Sequence, residues 1–93
     1  MEAFYVYILY SKSLDKFYIG QTSSVESRLQ FHNDVKRNKI WTKRGIPWEI
    51  KTFIKFPSRS EAISAETFIK KQRSRKTIQS IIDNGWRDIH DRI

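Results

Sequence analysis

The sequence contains no cysteine. That excludes a disulfide framework and any zinc site built on thiolates, and it fits a reducing, cytoplasmic setting. Long apolar runs are missing too. The longest, Phe4 to Tyr10, falls far short of the roughly 20 residues that a membrane span needs. The start, Met1-Glu2-Ala3, is not the basic opening of a signal peptide. No membrane association is expected. Glycine and proline are scarce, with three and two residues, and no repeat, linker or low-complexity stretch breaks the chain. Acidic residues are outnumbered: ten Asp and Glu stand against 18 Lys and Arg, a net charge of +8.

The 93 residues suffice for one domain, with a core over about residues 4–83 and a short tail over 84–93. A chain of this size buries only about 60% of its unfolded surface, so the core must be compact. Three Trp, four Tyr and six Phe supply much of it. The charge excess favours a polyanionic partner, nucleic acid above all. It is clustered. Lys36, Arg37, Lys39, Lys43 and Arg44 form one group, with no acid between Val35 and Trp48. Lys70, Lys71, Arg73, Arg75 and Lys76 form another. Phosphates neutralised there would release counterions. Two solvated faces are the plainer alternative.

Phe4 to Tyr10 lacks polar alternation and reads as a strand buried on both faces, the middle of a sheet. A polar turn over residues 11–16 leads to a second strand, Phe17 to Gln21, and the short link favours an antiparallel hairpin. Ser23 or Ser24 caps a helix that should run to about Val35. Lys36 to Pro47 is basic and irregular. Trp48 to Phe56 reads as a third strand, stopped by Pro57. Ser58 with Glu61 has the spacing of a capping box for a helix to about Lys71. A last helix, Lys76 to Asp83, ends at Asn84-Gly85. The order β-β-α-β-α-α predicts an α+β fold: a small, three-stranded, mainly antiparallel sheet flanked by helices.

Several polar residues sit where apolar ones belong. With Val25 at zero on a helical wheel, Leu29 lies near about +40°, Arg28 near about −60° and His32 near about −20°. Val35 and Phe31 extend the same arc. With Ala62 at zero, Ile69 lies near about −20° and Glu66 near about +40°. A carboxylate there must be paired, metal-bound or at the rim of a cleft, because an isolated buried charge costs several kcal/mol. Either Arg28 and Glu66 join two helices as a structural salt bridge, or both serve a site. His32 has a bland reading of its own, a satisfied core histidine. Tyr5, Tyr7 and Leu9 share one face of the first strand, with Tyr18 on its neighbour.

This set resembles the GIY-YIG nuclease superfamily, in particular small single-domain members akin to the N-terminal nuclease domain of the DNA-repair excinuclease. The resemblance covers about Phe4 to Asp83. Tyr18-Ile19-Gly20 matches the second half of the name motif, followed by Gln21-Thr22. Tyr5-Val6-Tyr7 stands for the first half, with Tyr5 in place of glycine and Val6 in place of isoleucine. Arg28-Leu29-Gln30-Phe31-His32 and Glu61-Ala62-Ile63-Ser64-Ala65-Glu66 match the arginine–histidine and glutamate segments. Thr42-Lys43-Arg44 ahead of Pro47-Trp48-Glu49 fits the small-member pattern.

The resemblance implies a metal-dependent endonuclease acting on nucleic acid, DNA more than RNA, with structure-dependent or weak sequence specificity. Glu66 would hold one Mg²⁺ or Mn²⁺. Arg28 would grip the scissile phosphate. Tyr7 would position or deprotonate water, with Tyr18 and His32 assisting, and either Tyr7 or His32 could be the base. Asn84 is the one late asparagine that could match the family's, with a helix cap as its competing role. A nuclease-like module that binds without cutting is the alternative reading. His90 and Asp91 are too few for a second metal site.

Overall fold

The computed structural model describes residues 3–72 and 74–86; Arg73, His90 and Asp91 lie outside them. The order is β1 (Phe4–Ser11), β2 (Lys16–Thr22), α1 (Val25–Asn33), a 3₁₀ turn (Trp41–Gly45), β3 (Trp48–Phe56), α2 (Arg59–Gln72) and α3 (Arg75–Asn84). This is the β-β-α-β-α-α order expected from the sequence, and the fold is α+β. The sheet order is β2-β1-β3, with both pairings antiparallel. The unalternating apolar run thus forms the central strand. A register shift at Ile8 and Leu9 leaves Lys51 as an extra residue in β3.

Side chains alternate across β1, so each face meets its own helices. Val6 and Ile8 pack with Ile19 against Ala62, Ala65 and Ile69 of α2 and Ile78 and Ile81 of α3. Tyr7 and Leu9 face the other way, with Trp48, and are covered by Val25 and Leu29 of α1 together with Leu14, Tyr18 and Ile46. Each fully buried Ile or Leu in these layers stabilises the fold by about 2 kcal/mol.

Two helix starts follow the serine signals, and a serine not singled out in the sequence, Ser74, caps the third. Ser24 Oγ accepts from Ser27 N, Ser58 Oγ from Glu61 N at 3.2 Å, and Ser74 Oγ from Thr77 N. Gly85, at φ 93°, closes α3 with its N–H on Ile81 O. Two expectations need correction. Helix α1 ends at Asn33, short of Val35. The Asp34 carboxylate accepts from both Lys36 N and Arg37 N, an alternative to the helical ladder that turns the chain outward. Val35 is therefore off the helix and 58% exposed. The segment from Lys36 to Pro47 is not wholly irregular either, because it holds the 3₁₀ turn. Gly45 sits there against Trp48 and Ser11, where an added Cβ would fall 2.5 Å and 2.8 Å from their side-chain atoms. Among the described residues no helix is long and apolar enough to cross a membrane.

Candidate active site

The hairpin and α1 bring Tyr7, Tyr18, Arg28 and His32 together on one face of the sheet. Tyr7 and Gly20 are register partners across β1 and β2. The Tyr7 ring lies over Gly20. A Cβ built there would stand 2.5 Å from Tyr7 Oη and 2.7 Å from its Cζ. The glycine of the Tyr18-Ile19-Gly20 motif is thus the floor on which the tyrosine rests. Gly20→Ala should cost about 1–3 kcal/mol of stability, because the buried ring cannot yield without leaving its partners. Thermal melting checks this; an unchanged melting temperature would mean the ring is free to shift.

Tyr7 Oη meets His32 Nε2 at 3.0 Å, and His32 Nδ1 meets Thr42 Oγ1 at 2.9 Å. Asn38 holds the far end. Its Nδ2 donates to Thr42 Oγ1 at 2.9 Å and to His32 O at 2.8 Å, while its Oδ1 accepts from Ile40 N. Trp48 Nε1 donates to Thr42 O at 2.6 Å. Tyr7, His32, Asn38 and Thr42 are all buried. One tautomer uses every one of these contacts in sequence. Asn38 Nδ2 donates to Thr42 Oγ1, which leaves the Thr42 hydroxyl proton available to His32 Nδ1. The ring proton then sits on Nε2 and is donated to Tyr7 Oη.

Burial, aided by the Arg28 charge, pulls His32 down to about 4, so the ring is neutral at ordinary pH. Burial pushes the Tyr7 hydroxyl up to about 12, opposed by the adjacent Arg28 guanidinium and reinforced by Tyr18. Tyr18 packs with its ring centroid 4.6 Å from that of His32 and 6.1 Å from that of Tyr7. Arg28 stacks over the Phe31 ring at 4.5 Å. None of the ion pairs among the described residues includes Arg28. A half-buried guanidinium beside two polar rings, with no carboxylate on it among the described residues, has the chemistry to hold an anion.

Glu66 stands apart from these four. Helix α2 packs on the opposite face, and the Glu66 side chain, 19% exposed, lies 3.4 Å from Lys70 Nζ. The structural alternative of an Arg28–Glu66 bridge between helices does not form. Glu66 and Lys70 share one shallow groove. Lys70 in turn lines a groove with Tyr18 and Trp41 around the edge strand β2. The glutamate therefore flanks the strand that carries Tyr18. Among the described residues no three His, Cys, Asp or Glu side chains gather into a metal-binding group. A lone rim carboxylate suits a hard ion that keeps its waters and takes phosphate oxygens, not a zinc ion that needs three or four protein donors.

The basic windows divide. Lys36, Arg37, Lys39, Lys43 and Arg44 are exposed around the 3₁₀ turn, and Lys70, Lys71 and Lys76 are exposed on α2 and α3. Arg75 is otherwise engaged: its two terminal nitrogens grip Asp15 at 2.9 Å and 2.8 Å, and that guanidinium holds the Asp15 carboxyl well below the usual carboxylate range. It ties α3 to the β1–β2 turn and has little charge to spare for phosphate. Asn84 is exposed, with its amide on Ser80 Oγ, and no contact among the described residues joins it to the Tyr7 cluster. Sequence reasoning missed the buried Asn38 and the role of Thr42. The available signal was two short polar residues with no acid near them, inside a segment that looked like loop.

Comparison with known proteins agrees with this fold. The family model of the GIY-YIG catalytic domain matches residues 3–79. A UPF0213 protein of Limosilactobacillus reuteri is 31% identical over 85 residues, spanning 90% of this chain and 88% of the relative. The UPF0213 protein OB0043 of Oceanobacillus iheyensis is 40% identical over 70 residues, spanning 75% and 79%. The solution structure of the UPF0213 protein BH0048 from Bacillus halodurans superposes with a TM-score of 0.54 at 32% identity, covering 89% of this chain and 86% of that one.

Proposed function

The chain belongs to the GIY-YIG catalytic-domain family, and on that premise we propose that it is an endonuclease. It hydrolyses phosphodiesters in nucleic acid, DNA in preference to RNA, with structure-dependent or weak sequence specificity. Glu66 holds one Mg²⁺ or Mn²⁺, which when bound neutralises charge on the phosphate and leaving oxygen. The observation that carries the reading is the Arg28 guanidinium, in no ion pair among the described residues, beside the Tyr7–His32–Thr42 chain.

Each residue then has a role set by its chemistry. Arg28 binds the scissile phosphate and meets the charge that builds on it. Tyr7 takes the proton of the attacking water. His32 cannot be the base in this tautomer, because Nε2 is protonated and Nδ1 is occupied by the Thr42 hydroxyl. It serves by donating Nε2–H to the Tyr7 oxygen, and with Arg28 it favours the phenolate. Tyr18 packs against both rings and holds them in place. Lys39, Lys43, Arg44, Lys70 and Lys71 contact flanking phosphates, which adds affinity and register without base recognition.

The pH dependence of cleavage tests this assignment. The deprotonated form of Tyr7 is the active one, and its pKa of about 12 lies above the working range. The rate at low substrate, which reports the free enzyme, should therefore climb roughly tenfold per pH unit from mildly acidic to alkaline pH without levelling off. A base at His32, pulled down to about 4, would give a rate flat across that range. Absence of any metal-dependent cleavage, with binding intact, would identify a module that grips without cutting.

A further inference from the structure

Trp41 is 49% exposed, although a large indole is normally well buried. It opens the 3₁₀ turn and is held from beneath. Its ring meets Trp48 edge-on at 5.8 Å and Tyr18 at 5.8 Å. The next residue, Thr42, is buried and bonded to His32. The indole is thus fixed in place and coupled to the catalytic rings, with its outer part in solvent. Two grooves meet at it. One is lined by Lys39, Ile40, Lys43 and Arg44, the other by Tyr18, Lys70 and the first half of β2. No acidic residue occurs from Val35 to Trp48, so the segment that carries the indole is purely cationic.

A fixed, solvent-facing aromatic ring surrounded by lysines and arginine matches one ligand chemistry: a flat, electron-delocalised ring flanked by phosphates. We propose that Trp41 stacks on an unpaired nucleobase next to the scissile phosphate, with the neighbouring phosphates on Lys39, Lys43 and Arg44. Bases inside a duplex already stack on each other and cannot offer a free face. The site therefore selects single-stranded or locally unpaired nucleic acid. The inference rests on the endonuclease reading and narrows its substrate class.

The test uses binding without metal, so cleavage plays no part. An oligothymidine strand and a blunt duplex are titrated in chelator against wild type, Trp41→Leu and Trp41→Phe. Leucine keeps apolar bulk over Trp48 and Tyr18 but has no ring to stack; phenylalanine keeps a ring. Trp41→Leu should bind the single strand about tenfold or more weaker, with duplex affinity unchanged, while Trp41→Phe stays within about threefold of wild type. Equal loss on both polymers, or no loss on the strand, overturns the inference and leaves the endonuclease reading standing. Failure of the wild type to bind either polymer overturns both.

Discussion

Arg28→Ala should lower the cleavage rate by about a thousandfold while leaving the fold close to its original stability. Removing one preorganised donor from a site of developing charge typically costs about 10²–10³ in rate, and a guanidinium on a transferring phosphoryl group lies at or above that range. The stability term is small for a different reason. Arg28 joins none of the ion pairs among the described residues; it stacks on the Phe31 face at 4.5 Å and hydrogen-bonds the Tyr7 hydroxyl. Losing the two contacts costs about 1–2 kcal/mol. The substitution also removes the charge that depresses both neighbours, so His32 becomes more basic and Tyr7 less acidic. The second change works against catalysis and the first cannot repair it. Arg28→Lys keeps a charge but loses the planar fork, and should fall between wild type and alanine. Cleavage assays beside thermal melts decide the matter. Activity within tenfold of wild type for Arg28→Ala would remove the phosphate-binding role.

The elements were legible because their signals were local. Unbroken apolar character from Phe4 to Tyr10 can only be housed in a central strand, and that is where β1 lies. The serine caps at Ser24 and Ser58 act within three residues of themselves. Polar residues inside apolar arcs identified Arg28 and His32, since a wheel exposes any side chain that violates its own helix face. What stayed hidden depends on contacts between distant segments. The partner of His32 is Thr42, ten positions on, and Thr42 is held in turn by Asn38, which has no periodicity to betray it. The end of α1 turned on the Asp34 side chain competing for backbone N–H groups, a contest that a wheel cannot register. The wheel likewise placed Glu66 among apolar residues without saying which face of the sheet α2 would cover. Only the layer arrangement shows that Arg28 and Glu66 lie on helices that cover opposite faces of the sheet.

That separation makes Glu66 the most informative position to change. Glu66→Gln should abolish metal-dependent cleavage, a loss of about a thousandfold or more, because amide oxygen is a far poorer ligand for a hard cation than carboxylate and no cluster of other acids among the described residues stands ready to replace it. Stability should barely move. The contact to Lys70 at 3.4 Å involves an ammonium that is 52% exposed, and ion pairs of that kind contribute about 0–1 kcal/mol. The two effects separate a ligand from a strut. A structural carboxylate would show the opposite pattern, with a large drop in melting temperature and no dependence on metal. Binding of Mn²⁺, followed by its effect on melting, provides a readout free of catalysis. At about ten times the dissociation constant the ion should stabilise wild type by about 1.4 kcal/mol and Glu66→Gln not at all. Equal stabilisation of both proteins would place the ion elsewhere. The pair with Lys70 adds a further expectation of direction: Lys70→Ala, by freeing the carboxylate from its ammonium neighbour, should tighten Mn²⁺ binding even as it weakens the grip on nucleic acid.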